Sequence, residues 1–318
     1  MARRVGIFGN EEDRQVQRVS QELQALGAEP LLISPSALAR GLPLSERDGR
    51  FIYRGVDTSE LTGFYLRGIP AAYAPAFEKD EELVLYEDWF IRYMQERERA
   101  SFYIAWLLSL QERGVRLVNG PQAASVLQYK PFQLHALRTV GAQVPKTLLS
   151  NDPEAVRAFR AEVGEVIYKP LMGGALTQPL DDARMKDLSA VTLSPVIFQE
   201  RVDGDDLRVM LAGDDIVSSV AIRTPAQHLD FRGDPTYASG AATYEEVTLP
   251  AEVAELCRRA ARLCGLLFAG IDIKRTSDGR WVFLELNSSP IYLDVEWKLG
   301  HPISRAIAEL VLGSRNPA

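Results

Sequence analysis

The sequence predicts a chain of the α/β (α+β) class, with a parallel α/β domain first and mainly antiparallel sheet afterwards. Its 318 residues, 46% of them hydrophobic and 25% charged, have ordinary globular composition and suffice for about two or three core-forming units. Two observations set the class. The opening residues follow a strand, helix and strand pattern, and from residue 196 onward apolar and polar residues mostly alternate.

The N-terminal residues predict a βαβ unit. The stretch "RVGIFG" is a short apolar strand, and "PLLIS" supplies a second one. Between them Val16, Val19, Leu23 and Leu26 recur at helical spacing, and Gly27 closes the helix. We therefore expect a Rossmann-like α/β domain. Since "GNEEDR" lacks the G-x-G-x-x-G pattern that binds a pyrophosphate, a dinucleotide site here has weak support.

The chain between this unit and residue 121 predicts a strand, a long helix and a domain boundary. "LTGFYLRGIP" (61–70) is a strand, and the chain from Phe77 to Arg113 is helical and rich in aromatic residues. We interpret these aromatic residues mainly as core and interdomain packing. The alternative is a homodimer interface formed by the 84–110 stretch. "VRLVNGP" (115–121) is a strand and turn that fits a boundary between domains.

The central residues predict a helix followed by a series of strands. "QYKPFQLHALRTVGAQVPKTLL" gives a helix with Pro131 near its first turn and Gly141 as its stop, and "EVIYK" (165–169) is a strand. "VIFQERV", "DLRVMLA" and "IVSSVAI" alternate with period two and are separated by Asp-Gly and Gly-Asp turns, which indicates antiparallel sheet. Residues 300–312 form a closing helix.

The segment "AGIDIKRTSDGRWVFLELN" predicts a β-hairpin. Asp278-Gly279 is a strong signal for a two-residue type I′ turn, and counting back from it places Asp272 opposite Glu285. The same count puts the side chains on two opposite faces, an apolar one with Ile271, Ile273, Val282, Leu284 and Leu286, and a second one with Asp272, Lys274, Trp281, Phe283, Glu285 and Asn287.

Two facing carboxylates make this hairpin a candidate metal site. Opposed acids on neighbouring strands repel each other unless a positive charge lies between them. Oxygen ligands from Asp272, Glu285 and Asn287 suit magnesium, which usually takes one or two carboxylates together with substrate phosphates. The alternative is a solvated face whose charges are simply hydrated. Trp281 and Phe283 weaken that alternative, because a fully wet face has little use for two aromatic rings; on the hairpin alone we weight the two interpretations equally.

The composition argues against several classes of protein. The formal net charge of −7 disfavours non-specific nucleic-acid binding, and the three histidines show no metal-ligand spacing. Cys257 and Cys264 form no Cys-x-x-Cys motif, so two buried, reduced thiols on one helix is the simpler interpretation. The N-terminus lacks a signal-peptide pattern, and "FYIAWLLSL" is too short to span a bilayer. We expect a cytoplasmic protein that binds neither nucleic acid nor membrane.

The hairpin sequence "AGIDIKR…VFLELNSSP" resembles the metal-binding core of ATP-grasp enzymes, in particular the branch of glutathione synthetase and ribosomal-protein glutamate ligase. The resemblance implies three domains: an N-terminal α/β domain over 1–118, a small subdomain over 119–195, and a C-terminal subdomain with the metal-binding hairpin over 196–318. It also implies a nucleotide bound between the last two. Further features follow in the family's order, and the similarity is strongest over 196–290.

The resemblance implies phosphate-binding residues upstream of the hairpin. Lys130 begins a helix where ligases of this type place a phosphate-contacting lysine, and Lys169 ends a strand shortly before Gly173-Gly174. A lysine is a point charge suited to phosphate, and consecutive glycines allow backbone N–H groups to approach it. For each lysine taken alone, an ordinary surface position is the simpler alternative.

The stretch "VIFQERVDGDDLRVML" resembles the hinge strand that holds adenine in these enzymes. By resemblance, the nucleotide contacts are made by Gln199, Glu200, Arg201, Val202 and Asp206. Arg208 would be catalytic and reach the phosphates or the acyl-phosphate. Its alternative is a cross-strand ion pair, which contributes little at a surface.

Two further arginines are implied in substrate chemistry. "DFRGDPTYASGAA" (230–242) resembles a loop that contacts substrate and phosphate, and Arg232 is its candidate catalytic residue. Arg67 follows a strand of the first domain, where family members often present an arginine to the substrate carboxylate, because a guanidinium group matches a carboxylate bidentately. An ordinary solvated arginine is an equal alternative for Arg67.

The resemblance implies an ATP-dependent carboxylate–amine ligase that forms an amide through an acyl-phosphate and uses Mg²⁺, with Mn²⁺ as an alternative ion. Its carboxylate and amine substrates would be small molecules or peptides. Two other functions stay open: a phosphotransferase on the same scaffold, and a nucleotide-binding module without turnover. The second is kept because "KPLMGGALTQPL" has one glycine pair where the family's flap is usually longer. Ile291-Tyr292 also replaces a glycine of the family, which indicates a different backbone near the substrate.

Overall fold

The structure is a computed structural model that describes residues 3–68, 86–172, 175–224, 229 and 231–315. It divides into two compact units. The first consists of the chain up to Ala124 together with Ile307–Arg315, and the second extends from Ser125 to Ala306. The described residues form helices together with parallel and antiparallel sheets, so the predicted mixed α/β class is confirmed. The finer predicted division at residue 195 stays a prediction.

The first unit contains a parallel sheet and a small antiparallel sheet. Its elements in chain order are β1 (Arg3–Phe8), α1 (Arg14–Ala25), β2 (Ala28–Ile33), α2 (Pro35–Ala39), β3 (Leu44–Arg47), β4 (Arg50–Tyr53), β5 (Val56–Asp57), β6 (Gly63–Leu66), α3 (Tyr86–Glu112), β7 (Arg116–Val118) and α4 (Pro121–Ala124). The strand order β2-β1-β6-β7, with parallel pairing throughout, matches the predicted Rossmann-like start. The Asp13 side chain caps α1 by accepting a hydrogen bond from the Gln15 N–H, at 2.7 Å.

The small sheet β3-β4-β5 was not predicted, although the sequence carries a signal for it. Asp48-Gly49 joins β3 to β4, and Arg47 pairs with Arg50 across the turn. Both turn residues have positive φ, 53° for Asp48 and 78° for Gly49, as a type I′ turn requires. An Asp-Gly pair between two short strands is therefore a reliable hairpin signal here.

Helix α3 supplies aromatic side chains to the core of the first unit. Trp106 is fully buried, its ring lies against Phe8 and Phe64, and its Nε1 donates to the Thr58 hydroxyl at 2.8 Å. The interpretation of the aromatic residues as core packing is confirmed for this end of the helix. Phe90, by contrast, is exposed. The predicted helix start at Phe77 lies outside the described residues.

The second unit is built on two antiparallel sheets. Its elements are α5 (Lys130–Thr139), β8 (Thr147–Ser150), α6 (Pro153–Val163), β9 (Val166–Lys169), β10 (Gln178–Pro179), α7 (Asp182–Lys186), β11 (Val196–Glu200), β12 (Asp205–Ala212), β13 (Asp215–Arg223), α8 (Pro235–Ala238), β14 (Thr243–Glu246), α9 (Ala251–Leu263), β15 (Phe268–Arg275), β16 (Trp281–Asn287), α10 (Leu293–Leu299) and α11 (Ile303–Leu312), whose last residues belong to the first unit. The smaller sheet has the order β10-β9-β11-β8 and the larger one β14-β13-β12-β15-β16.

The hairpin β15–β16 has the predicted pairing at its far end but not near its turn. Asp272 lies opposite Glu285, as predicted. The turn, however, is one residue longer than predicted, because the Thr276 N–H bonds to the Arg280 carbonyl and encloses three residues. A β-bulge next to Asp272 then restores the expected register.

The bulge reverses the predicted faces for the residues near the turn. Phe283 pairs with Ile273 and is fully buried, so it belongs to the face opposite the carboxylates. Trp281 pairs with Arg275 on that same face. The prediction that these two rings share the face of Asp272 was wrong. Leu284, predicted for the apolar face, instead lines the cleft beside Glu285.

Two further predictions concern the cysteines and membrane association. Cys257 lies on α9 and Cys264 directly after it, and both are buried free thiols as predicted, with pKa values raised by burial to about 12 and about 11. Among the helices of the described ranges, none combines the length and apolar character that a bilayer span requires.

Candidate active site

A cleft that is partly open to solvent lies within the second unit. Strands β9 and β11 of the smaller sheet contribute one part of its lining, and β12, β15 and β16 of the larger sheet contribute another. The cleft brings together most of the predicted site residues, namely Lys130, Lys169, Gln199, Glu200, Val202, Asp206, Arg232, Asp272 and Glu285.

Arg208 and Asp272 form a buried ion pair at the cleft. They lie opposite each other on β12 and β15, and the guanidinium group bonds bidentately to the carboxylate, with Nε–Oδ1 at 2.8 Å and Nη2–Oδ2 at 2.9 Å. Arg208 Nη1 also donates to the Ile291 carbonyl at 3.4 Å. The cross-strand ion pair considered for Arg208 therefore exists, but it is buried rather than at the surface.

Glu285 is held by the lysine that begins α5. Lys130 Nζ lies 2.9 Å from Glu285 Oε2, a contact between residues 155 positions apart in the chain. The Asn287 amide nitrogen is 3.3 Å from both Asp272 Oδ2 and Glu285 Oε1. Asp272, Glu285 and Asn287 thus lie at one place, as the sequence predicted, and are joined by hydrogen bonds.

Burial and neighbouring charges shift the pKa values of these groups in different directions. Burial raises the pKa of Asp272, although Arg208 opposes the change. Burial would also raise the pKa of Glu285, but the charges of Lys130 and Lys169 outweigh it and hold the pKa well below its usual range. Burial lowers the pKa of Lys169, and Glu285 opposes that shift. Glu285 is therefore an ionised carboxylate close to two lysines.

The two carboxylates are balanced by the protein's own cations in this structure. The repulsion that was expected to require a metal ion is relieved by Arg208 at Asp272 and by Lys130 at Glu285. Within the part of the chain that the structure describes, no group of three His, Cys, Asp or Glu side chains is arranged to hold a metal ion. A magnesium site here would need ligands from a bound phosphate as well.

Some predicted site residues lie elsewhere. Arg201 does not line the cleft; its side chain is 44% exposed and pairs with Asp203 at 2.9 Å and Glu165 at 3.2 Å. Its place beside a nucleotide base stays a prediction. Arg67 belongs to the first unit, and its Nε lies 3.0 Å from Asp13. Its role toward a substrate carboxylate stays a prediction. Gly173 and Gly174, the glycine pair of the flap, lie outside the described residues.

Two residues of the cleft were missing from the predicted site. Lys274 lines the cleft and pairs with Asp206 at 2.8 Å. Its alternation with Asp272 on β15 placed it on the correct face, so a signal for it existed. Leu284 was missed because only the bulge turns it into the cleft, and the sequence pattern gave no sign of the bulge.

Comparison with known proteins identifies the family to which the chain is similar. Residues 128–311 match the family model of the RimK-like ATP-grasp domain. The chain is 31% identical over 223 residues to a glutathione synthetase of Rhodopseudomonas palustris, across 65% of this chain and 68% of that protein. It is 27% identical over 223 residues to probable alpha-L-glutamate ligase 1 of Hahella chejuensis, across 66% and 72% of the two chains.

A solved structure extends the likeness to nearly the whole chain. The ATP-grasp ligase PsnB, in complex with a phosphomimetic variant of a minimal precursor, Mg and ADP, has a TM-score of 0.81 and 30% identity, over 98% of this chain and 99% of that one. The resemblance seen in the motifs and the ATP-grasp fold that it implied are confirmed. The chain belongs to the RimK-like ATP-grasp family and is an ATP-dependent ligase that joins a carboxylate to an amine.

Proposed function

We propose that the chain binds ATP and magnesium in this cleft and activates a carboxylate of a peptide substrate for attack by an amine. The observation that carries the proposal is the arrangement of charge: Lys130, Lys169 and Arg232 line the same cavity as the opposed carboxylates Asp272 and Glu285. Cations suit a polyphosphate, and carboxylate oxygens suit the divalent ion that accompanies it. The relative PsnB was solved with Mg and ADP, which supports the same pair of ligands here.

The donor atoms at this place fit magnesium. Asp272 and Glu285 present carboxylate oxygens from adjacent strands, and a 180° rotation of the Asn287 amide would turn its oxygen toward them. Lys130 and Arg208, which now balance the carboxylates, would then be available for phosphate oxygens. Bound magnesium would neutralise negative charge on the phosphoryl group that is transferred.

Three cations would position the phosphates. Lys169 is placed by the end of β9 and Lys130 by the start of α5, so both ammonium groups are carried by regular elements. Burial disfavours the charged form of Lys169, and a bound phosphate would favour it again. Arg232 approaches the same cavity from the loop after β13. Such fixed charges stabilise the transition state without reorganising during the reaction.

The remaining lining fits a nucleotide base. Apolar atoms are supplied by Pro145, Ile167, Val202, Leu207 and Leu284. Gln199 and Glu200 line the same cleft. Both are held in place, since Gln199 Nε2 donates to the Thr147 hydroxyl at 3.0 Å and Glu200 Oε1 accepts from the Lys146 N–H at 3.0 Å. A planar ring between apolar walls, with polar groups at its edge, is the arrangement expected for adenine.

The proposed reaction asks for little covalent chemistry from the protein. A substrate carboxylate oxygen attacks the γ-phosphorus, the bond to the ADP oxygen breaks, and an acyl-phosphate forms. The amine nitrogen then attacks the acyl carbon, phosphate leaves, and the nitrogen loses a proton to give the amide. Arg208 and Arg232 would stabilise charge on the phosphoryl and acyl oxygens, since positioning and electrostatics dominate phosphoryl transfer.

A peptide is the substrate class that we favour. PsnB was solved with the precursor peptide PsnA2, and the present chain matches that enzyme over nearly its full length. The glutathione synthetase relative matches over a smaller share, 68% of its length. The likeness over the whole chain therefore supports a peptide more strongly than a small metabolite.

The test is ADP and phosphate release across a panel of amino acids, dipeptides and longer peptides, with mass spectrometry of the products. We expect an amide product whose mass is that of the peptide and amine reactants less one water, together with ADP and phosphate. Glu285→Gln keeps the size of the side chain but removes a charge at the metal position, so we expect turnover to fall by more than about 100-fold with the fold intact. Glu255→Gln, an exposed carboxylate on α9, is the matched control and should retain activity. Activity at the wild-type level in Glu285→Gln would contradict the proposal.

A further inference from the structure

Strand β16 lies at the edge of the five-stranded sheet, so the N–H groups on its outer side need partners other than a strand. Two such groups have partners outside the sheet. The Phe283 N–H bonds to the Gln143 carbonyl at 2.8 Å, and the Leu286 N–H bonds to the side-chain oxygen of Gln133 at 3.0 Å. The second bond falls between Glu285 and Asn287, the two candidate metal ligands of this strand.

Gln133 is bonded at both ends and is almost completely buried. Its amide nitrogen donates to the Val126 carbonyl at 2.7 Å, while its oxygen accepts from Leu286, and only 1% of the residue is exposed. A buried amide is costly unless both of its ends are paired, and here both are. The side chain therefore has one defined position, fixed by the short segment before α5.

The hydrogen bond from the Leu286 N–H to Gln133 lies next to an irregularity in the β15–β16 ladder. The β-bulge next to Asp272 interrupts the pairing of β15 and β16 immediately before Glu285. A bulge disrupts the ladder locally and bends its strand, so neighbouring side chains lose part of the constraint that a regular ladder gives. Gln133 adds a hydrogen bond to this part of β16 from its outer side, the side away from β15.

Gln133 also joins the metal position to the phosphate position. It lies three residues after Lys130 on α5, the spacing that places two side chains on the same face of a helix. Lys130 bonds to the Glu285 side chain, and Gln133 bonds to the backbone of the next residue, Leu286. Helix α5 thus contacts β16 at two consecutive residues, through an ion pair with the Glu285 side chain and a hydrogen bond to the Leu286 main chain.

We infer that Gln133 is a positioning residue that fixes the direction of Glu285 and Asn287 toward a bound metal–nucleotide complex. The inference rests on the proposed function, in that it assumes magnesium and a nucleotide in the cleft. Gln133 touches neither ligand; it acts through the backbone of Leu286. Groups that orient metal ligands in this way usually contribute about 10- to 100-fold to metal affinity or activity.

The test measures the Kd of ADP by isothermal titration calorimetry, once in excess Mg²⁺ and once in EDTA. Gln133→Met keeps the length of the side chain and removes both hydrogen bonds. We expect its Kd for ADP in Mg²⁺ to rise about tenfold, while its Kd in EDTA stays at the wild-type value. A purely structural role would change both values together or neither. Gln133→Asn, which is too short to reach both partners, should change the Kd in the same direction and serves if the Met variant does not fold.

Leu137→Met is the matched control, since it replaces a fully buried residue further along α5 without touching either hydrogen bond. It should bind ADP like the wild type under both conditions. If Gln133→Met or Gln133→Asn binds ADP in Mg²⁺ with the wild-type Kd, or weakens equally in EDTA, the inference about Gln133 is wrong. If the wild type itself binds ADP no better in Mg²⁺ than in EDTA, the failure belongs to the proposed metal site.

Discussion

Three ion pairs join β12 to β15 at nearby positions of one ladder, the third on the opposite face of the sheet from the other two, and they differ in burial. In order of increasing side-chain exposure the pairs are Arg208–Asp272, Lys274–Asp206 and Arg275–Asp205. Their N–O distances are nearly equal, at 2.8, 2.8 and 2.7 Å. The exposed fractions of the side chains rise from 8% and 12% in the first pair, through 12% and 20%, to 34% and 32% in the third.

Ion pairs with nearly equal N–O distances can contribute differently to stability when their burial differs. In the outer pair, water screens both charges, and such pairs typically contribute less than about 1 kcal/mol. In the inner pair, both charges have given up water, so each depends on the other, and removal of one leaves a buried charge. The inner pair is therefore a preformed set of charges that a ligand can rearrange, whereas the outer pair adds little beyond solubility.

The largest effect is expected for Asp272→Asn. The amide keeps the shape of the side chain but leaves the Arg208 cation buried without its balancing carboxylate. We expect the free energy of unfolding to fall by about 3 kcal/mol and ligase turnover to fall by more than about 100-fold. Urea denaturation followed by circular dichroism, together with ADP release, measures both quantities.

The double variant Asp272→Asn, Arg208→Met is the control for this prediction. It removes both charges, so we expect much of the lost stability to return while activity stays absent. A loss below about 1 kcal/mol in Asp272→Asn alone would show that burial does not set the strength of these pairs.

The sequence predicted that Asp272 and Glu285 face each other, but it did not predict the turn and the bulge that bring them together. Asp272 opposite Glu285 was expected from a two-residue turn, and the structure has a longer turn and a compensating bulge. The two deviations cancel. Asp48-Gly49, the same dipeptide, does form the two-residue turn. At the later turn the Thr276 hydroxyl accepts from the Arg280 N–H at 3.0 Å, which holds the chain in the wider loop.

Contacts between distant segments were beyond what a local pattern can predict. The alternation of β15 and β16 predicted the acids and the amide on one face, and family motifs predicted the lysines and the arginine of the cleft. That Lys130 bonds to Glu285, or that Gln133 bonds to Leu286, depends on how α5 packs on β16. Side-chain periodicity specifies which face is buried but not which partner covers it. The faces near the turn were wrong for the same reason, because a bulge shifts alternation without changing composition.

An intermediate effect is expected for Lys274→Met, at the middle pair. The substitution keeps the aliphatic stem and removes a cation that lines the cleft and also bonds to the Gly204 carbonyl at 3.3 Å. We expect a stability loss of about 1 kcal/mol and a Kd for ADP raised about threefold, because the cleft becomes more negative toward a polyphosphate. Calorimetric titration in Mg²⁺ gives the Kd. Lys274→Arg, which keeps the charge, should stay close to the wild type, and an unchanged Kd in the Met variant would remove Lys274 from the site.

The smallest effect is expected for Asp205→Asn, at the outer pair. Asp205 bonds to Arg275 at 2.7 Å and also pairs with Arg223, so it has two cationic partners. If the number of contacts determined stability, this substitution would be among the most harmful. Because the side chains are about one-third exposed, we expect a loss below about 1 kcal/mol and an unchanged Kd for ADP. The loss should shrink further in 1 M NaCl, where the Debye length falls to about 3 Å, whereas the loss in Asp272→Asn should persist. Urea denaturation of both variants at low and high salt measures the difference. Equal losses that respond equally to salt would show that burial does not determine the strength of these ion pairs.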